Sequence, residues 1–290
     1  MKVFQYLLFC TTLLIFTSCV YNNLNRNHYL LSPDESLSFT LHTDQESISY
    51  SLSKDGNTLI NQSQLGIVAD QFEFANDIQI ENVTRSRNNT TWTQVWGEQK
   101  QIVDHHNELA IHVTSNSNNI QMIIRFRLFN DGLGFRYEIP EQNELNEFKI
   151  LDELTEFNFA EDATSWWIPA YSYRRFEFLY ANTVISEISR DTYSKLVENL
   201  NGPRLGPEAV HTPFTVQRDD GICIAIHEAN LTNYSSMTLK ANGTSKMECD
   251  LIPWSDGTKV YTKVPFQSPW RTILVGNNPA ELAMSTLTLN

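Results

Sequence analysis

One acidic residue stands where an apolar stretch ends. Glu228 follows the run ICIAI at 222–226 and His227. A carboxylate at the point where a buried strand leaves the core is a candidate ligand for a hard cation such as Ca²⁺, which binds carboxylate and carbonyl oxygens. A calcium site needs several more oxygens, and this stretch does not supply them. Judged from the stretch alone, Glu228 is better interpreted as a solvated acid.

A second candidate stretch, residues 165–176, is rich in aromatic side chains. Trp166, Trp167, Tyr171 and Tyr173 lie there among polar residues and a proline, which is typical of a loop. Exposed rings stack on the C–H faces of sugars while nearby polar groups bond the hydroxyls, so these four residues are candidate carbohydrate-binding residues. Core packing is the more common use of Trp and Tyr, and it remains the alternative interpretation.

A third stretch places polar residues within apolar strands, at 95–98 and 104–108. Polar groups inside a sheet need hydrogen-bond partners, so an inter-strand network is the favoured interpretation. His105 and His106 are adjacent, and neighbouring residues of a strand point to opposite faces. We therefore expect one packed and one exposed imidazole rather than a shared metal site.

Complete catalytic motifs are missing from the sequence. It has no nucleophile elbow, phosphate-binding glycine loop, dinucleotide fingerprint or HExxH. A pair of catalytic carboxylates is conceivable among 34 acidic residues. Sequence spacing does not show which two would lie ~5–10 Å apart across a cleft, so the sequence identifies no catalytic residue.

Composition limits the class of protein. The 290 residues are 41% hydrophobic, enough for a packed core, and suit one large domain or two small ones. They carry 34 acidic and 21 basic side chains, a net charge of −13. Nucleic-acid binding requires a basic surface that releases counterions from phosphates, so nucleic acid is excluded as a partner.

The first residues resemble an export signal. Lys2 precedes the nearly uncharged stretch 3–17, which is too short to span a bilayer, and Ser18-Cys19 follows. The sequence IFTSC at 15–19 resembles a bacterial lipoprotein signal, which implies removal of 1–18 and a lipid on Cys19. The protein would then be anchored at a membrane of the bacterial cell envelope, in the periplasm or at the outer membrane. Ordinary secretion is the alternative.

The elements that must position these residues are antiparallel strands. Apolar and polar residues alternate along 36–41, 47–52, 109–113, 120–128 and 135–139, and Asp-Gly pairs supply tight turns. One short helix is predicted over 187–200. The sequence predicts an all-β fold, a large and mainly antiparallel β-sandwich with very little helix, over 36–290, with 19–35 as a polar tether.

Two details of this sandwich follow from its side chains. Arg127 and Arg136 are expected to pair with Glu138 across a hairpin. Cys223 and Cys249 could form one disulfide outside the cytoplasm, or both could be buried free thiols.

Seven short motifs occur in an order that resembles the N-terminal domain of glycoside hydrolase family 97, a family of exported bacterial α-glucosidases and α-galactosidases. The motifs are LSPD at 31–34, VWGE at 95–98, DHHNE at 104–108, NDGLGFRY at 130–137, HTP at 211–213, EANLTNY at 228–234 and SPWRTI at 268–273.

The resemblance implies a large β-sandwich that packs on a catalytic (β/α)8 barrel and gives one glutamate, here Glu228, to a Ca²⁺ ion shared with the barrel. A barrel needs ~200 residues, and no βα alternation is present, so we expect this chain alone to be inactive and its barrel to be absent from the sequence. The implied substrate is an α-linked oligosaccharide. A lipid-anchored carbohydrate-binding module without an enzyme partner is the alternative, and a self-sufficient hydrolase is a weaker one.

Overall fold

The computed structural model describes residues 27–43, 47–76, 78–170, 178–196 and 208–290. The predicted signal 1–18 and Cys19 lie outside these ranges, as do Tyr171 and Tyr173. In the described ranges, no helix has the length and apolar character needed to cross a bilayer.

Strands account for most of the described chain. In chain order they are β1 (His28–Leu31), β2 (Leu37–Thr43), β3 (Ile48–Lys54), β4 (Asn57–Gln64), β5 (Ile67–Ala69), β6 (Ile78–Thr93), β7 (Gln101–Ser115), β8 (Gln121–Phe129), β9 (Gly132–Ile139), β10 (Glu147–Glu153), β11 (Glu156–Asn158), β12 (Thr164–Trp167), β13 (Ala181–Val184), β14 (Ala209–His211), β15 (Phe214–Gln217), β16 (Cys223–Ala229), β17 (Met237–Ala241), β18 (Lys246–Leu251), β19 (Val260–Lys263), β20 (Phe266–Gln267) and β21 (Trp270–Gly276).

These strands form antiparallel sheets. The largest has ten strands in the order β13-β12-β15-β16-β21-β9-β8-β7-β6, with β20 paired to β9. A four-stranded sheet has the order β1-β2-β3-β4, a three-stranded sheet the order β19-β10-β5, and a second four-stranded sheet the order β11-β18-β17-β14. The predicted all-β, mainly antiparallel sandwich is therefore confirmed.

The core lies between the ten-stranded sheet and the smaller sheets. Along β2, Leu37, Phe39 and Leu41 are fully buried and alternate with partly exposed polar residues, as the period of two predicts. The ring of Phe39 lies 4.7 Å from that of Phe126 in β8, which joins the first four-stranded sheet to the large one. Burial of one apolar face of each sheet therefore drives their association.

Helix is confined to short segments. In the described ranges they are α1 (Arg190–Leu196), α2 (Pro279–Met284) and the 3₁₀ turns Ile185–Glu187 and Leu287–Leu289. The helix expected over 187–200 is thus present as α1, and residues 197–200 lie outside the described ranges.

The folded domain begins earlier than the sequence predicted. β1, His28–Leu31, pairs with β2 in the register Leu30 to Phe39, although these residues belong to the predicted tether 19–35. Only Leu30 of this strand is buried, so it shows too little alternation to be recognised. The polar sequence that follows forms a turn in which Asp34 accepts hydrogen bonds from Ser32 and Ser36.

The two cysteines of the sandwich are both free and buried. Cys223 lies in β16 of the ten-stranded sheet and Cys249 in β18 of a different sheet. Of the two alternatives raised by the sequence, the structure contains buried thiols and no disulfide between them.

Alanine substitutions at two glycines test how closely β9 approaches β21. Gly132 has φ +149°, and a Cβ there would overlap the carbonyl oxygen of Ile273, whereas Gly56 has φ +81° with open space around it. We expect Gly132→Ala to lower the free energy of unfolding by about 3 kcal/mol or more, and Gly56→Ala by only about 1 kcal/mol. Denaturant titration measures both values, and equal losses would contradict the close approach.

Candidate functional site

Glu228 lies near the end of β16, directly opposite Arg271 of β21 in the strand register. Arg271 donates from Nη1 to Oε2 of Glu228 over 2.7 Å. The Glu228 side chain is only 8% exposed, and its nearest polar neighbours are the guanidinium and the Met237 amide, which donates to both carboxylate oxygens at 3.2 and 3.3 Å. Glu228 is thus held by polar contacts rather than enclosed by apolar side chains.

A second carboxylate binds the other side of the same guanidinium. Arg271 donates from Nε and Nη2 to the two oxygens of Glu153, at 2.8 and 2.6 Å, and neither side chain is exposed to solvent. Glu153 also accepts from the hydroxyls of Thr155 and Tyr234. Since β10 and β21 belong to different sheets, this bidentate pair joins the two layers through the core.

The two carboxylates respond differently to these surroundings. Burial acts to raise the pKa of Glu153, but the charge and hydrogen bonds of Arg271, with those of Tyr234 and Thr155, outweigh it and lower the pKa. Burial raises the pKa of Glu228, because one hydrogen bond from Arg271 and the Met237 amide do not compensate the lost hydration. Of the two carboxylates, Glu228 is therefore the one whose negative charge is less fully compensated, and a further cation beside it would be favourable.

The donor set suits Glu228 to one role at a metal, that of a single ligand. Its two oxygens are of the type that Ca²⁺ prefers. In the described ranges, no group of three or more His, Cys, Asp or Glu side chains is placed to hold a metal ion. The described His, Cys, Asp and Glu side chains therefore do not complete a metal site around Glu228.

The aromatic stretch divides between core and surface. Trp167 is buried, donates from Nε1 to the hydroxyl of Thr183 and packs on Tyr193, so its ring is not available to a sugar. This corrects the sequence interpretation of Trp167 as a carbohydrate-binding residue, and the reason is strand alternation along β12. Trp166 points to the opposite face and is half-buried. Tyr171 and Tyr173 lie outside the described residues.

Polar residues on β7, β8 and β9 form an inter-strand network. Glu108 accepts from Arg125 at 2.7 Å and from Arg127 at 3.0 Å, while Glu138 accepts from Arg125 at 2.9 Å and from Arg136 at 2.7 Å. Arg136 does pair with Glu138, but within β9 and not across the hairpin as predicted, and Arg127 binds Glu108 instead. The sequence prediction missed Arg125, which lies between the two carboxylates.

The paired histidines follow the sequence prediction in part. His106 is buried against Phe129 and bonds Asp104 over 2.6 Å, and Asp104 also accepts from Asn88. His105 is partly exposed on the other face. The hydrogen-bonded network is therefore the correct interpretation of residues 104–108.

Glu153 and Arg271 are the site residues that sequence reasoning missed. Each carried a signal, since Arg271 interrupts the apolar run WRTILV and Glu153 ends the alternating stretch EFKILDE. An ionised residue within a buried strand requires a buried counter-charge. The sequence contains no information about which of 34 acids supplies it.

The described chain is a large antiparallel β-sandwich with a glutamate near the end of a buried strand. Residues 30–290 match the family described as Glycosyl-hydrolase 97 N-terminal. The chain belongs to this family.

The similar proteins are larger enzymes. A solved variant of a glycoside hydrolase family 97 enzyme from Pseudoalteromonas sp. strain K8 is 36% identical with a TM-score of 0.80, over 91% of this chain and 38% of that one. The same enzyme has been solved with panose and with acarbose. A retaining alpha-galactosidase of Bacteroides thetaiotaomicron is 21% identical over 89% of this chain and 40% of its own length. The chain thus spans about two fifths of these relatives.

The buried pair of Glu153 and Arg271 generates a stability prediction. Replacing Glu153 by Gln removes the charge that compensates the guanidinium, and we expect a loss of about 3–5 kcal/mol in the free energy of unfolding. The control is Glu248→Gln, which weakens a partly exposed contact to Lys246 at 3.2 Å and should cost no more than about 1 kcal/mol. Urea titration of both variants measures these losses. Similar losses would show that the buried pair contributes no more to stability than the partly exposed one.

Proposed function

We propose that this chain is the N-terminal β-sandwich of an exported, calcium-dependent α-glycosidase that docks on a catalytic (β/α)8 barrel. The observation that carries the proposal is Glu228, held at the end of β16 by Arg271 with a carboxylate that is incompletely compensated. Membership of the family and the large share of each relative outside the matched region support it.

In this proposal the chain helps to position a metal ion and supplies no catalytic residue. Glu228 would be one ligand of a Ca²⁺ ion completed by the barrel, and the ion would supply a fixed positive charge that orients carboxylates around the sugar. Arg271 holds one oxygen of Glu228, and Glu153 holds Arg271, so the carboxylate is oriented before any cation arrives. The acid and the base or nucleophile that cleave the glycosidic bond would belong to the barrel.

The proposed substrate class is an α-linked oligosaccharide. Panose and acarbose are bound by the Pseudoalteromonas enzyme, which is 36% identical to this chain over its shared domain. The sandwich would complete the site from one side, and its own residues would contact the substrate through the metal ligand and the surface around it.

A chimera tests this function. Residues 30–290 replace the matching region of the Pseudoalteromonas enzyme, and the chimera is expected to hydrolyse panose and to retain Ca²⁺ after gel filtration. Glu228→Gln should weaken Ca²⁺ binding by at least about tenfold and lower activity with it, because a charged ligand is lost. The control is Glu248→Gln.

The readouts are metal content by mass spectrometry and glucose release. A folded, active chimera in which Glu228→Gln binds Ca²⁺ as tightly as Glu248→Gln would contradict the role of Glu228. A folded chimera without activity would contradict the docking of this sandwich on a barrel.

We also propose that the mature chain is anchored by a lipid on Cys19, which rests on the sequence IFTSC at 15–19. When the full chain is expressed in a bacterium, the protein should partition into the detergent phase of Triton X-114. Cys19→Ser should move it to the aqueous phase, since a lipid chain adds ~0.8 kcal/mol per buried methylene. Cys10→Ser, within the predicted signal, is the control, and equal partitioning of all three forms would exclude the anchor.

A further inference from the structure

A cleft of about 950 Å³ opens beside the three-stranded sheet and is separate from the Glu228 carboxylate. Its walls come from β10 and β19, from the loop after β16 and from the loop between β18 and β19. Trp254 and Tyr261 line it, and they are 65% and 51% exposed. Two large aromatic rings open to solvent in one concave surface are typical of a ligand site.

Hydrogen bonds hold the turn that carries Trp254 and connect it to Tyr261. Trp254 begins a tight turn in which its amide donates to the carbonyl of Thr258 at 2.8 Å and its carbonyl accepts from Gly257 at 3.0 Å. Asp256 of the same turn accepts from the Thr258 amide and from the Tyr261 hydroxyl. The turn that carries Trp254 is thus tied to Tyr261 in the absence of a ligand, so this loop needs less ordering when a ligand binds.

A third aromatic residue forms the inner wall. Tyr234 lines the cleft, and its hydroxyl donates to Glu153 at 2.8 Å, while the Arg271 guanidinium lies 5.4 Å from its ring centroid. The buried charges that orient Glu228 therefore also fix this wall. The cleft and the Glu228 end of β16 are connected by rigid contacts.

The polar groups of the cleft favour a neutral ligand. Among its lining residues three lysines face two acids, Asp70 and Glu147, so the charges nearly cancel. Lys259 is already bonded to the carbonyl of Leu251 at 2.5 Å, and Lys149 lies over the Tyr261 ring. Asn233, Ser235, Ser236 and Thr262 add amide and hydroxyl groups.

We propose that this cleft is a binding site for a neutral oligosaccharide, in which sugar rings stack on Trp254 and Tyr261 while their hydroxyls bond the surrounding amide and hydroxyl groups. The volume accommodates several sugar rings. This site is additional to the proposed metal ligand and needs no catalytic domain, so the sandwich would retain glycan on its own surface.

Calorimetry on the purified chain tests the site with maltohexaose and, as a second probe, raffinose. Saturable binding of at least one of them is expected. Trp254→Ala should raise its Kd by about tenfold or more, and Tyr261→Ala should do so independently, because each removes one stacking surface. The matched control is Trp96→Ala, which removes a Trp that is 86% exposed on the β6–β7 hairpin and outside the cleft.

The absence of saturable binding to both sugars would overturn the proposal. Binding that survives in both cleft variants, or that weakens equally in Trp96→Ala, would also overturn it. If the variants leave sugar binding unchanged but lower the activity of the chimera, the cleft is a contact between domains and not a glycan site. The measurement uses no barrel, so a failed chimera leaves it unaffected, and the two proposals stand or fall separately.

Discussion

The buried pair of Glu153 and Arg271 joins the three-stranded sheet to the ten-stranded sheet through the core. Both side chains are withdrawn from water, and the guanidinium bonds two carboxylates from different strands. A buried ion pair adds little net stability compared with apolar packing, but breaking one is costly because a charge is left uncompensated. The pair therefore fixes how the three-stranded sheet lies on the large one, and with it the positions of Glu228 and Tyr234.

Sharing one guanidinium between two carboxylates gives them unequal roles. Glu153 takes two hydrogen bonds from Arg271 and is fully enclosed, whereas Glu228 takes one and keeps a small exposed area. The first is structural, and the second is the carboxylate for which another cation would be most favourable. The same enclosed carboxylate orients Tyr234, so the proposed metal ligand and the proposed glycan cleft rest on one set of buried charges.

The fold could be predicted from the sequence because each strand of a half-exposed sheet alternates with a period of two, and Asp-Gly turns separate the strands. β1 was missed since a short strand with one buried residue shows no period. Glu228 could be selected by its position after an apolar run and by the family motif. Its partners could not, because Glu153 lies 118 positions from Arg271 and sequence carries no distance between sheets. Trp167 was assigned to the wrong environment, because two adjacent aromatic residues of one strand point to opposite faces of the sheet.

Arg271 also governs the alignment of its own strand. In β21 it stands opposite Glu228, between Trp270 and Thr272, which face the other side of the sheet. A shift of β21 by a single position would turn the guanidinium away from both carboxylates and place an uncharged neighbour against them. Strands made only of interchangeable aliphatic residues slip with little penalty, and Ile273, Leu274 and Val275 of β21 form a run of that kind. One charged side chain thus excludes the misaligned sheets that the remainder of the strand would tolerate.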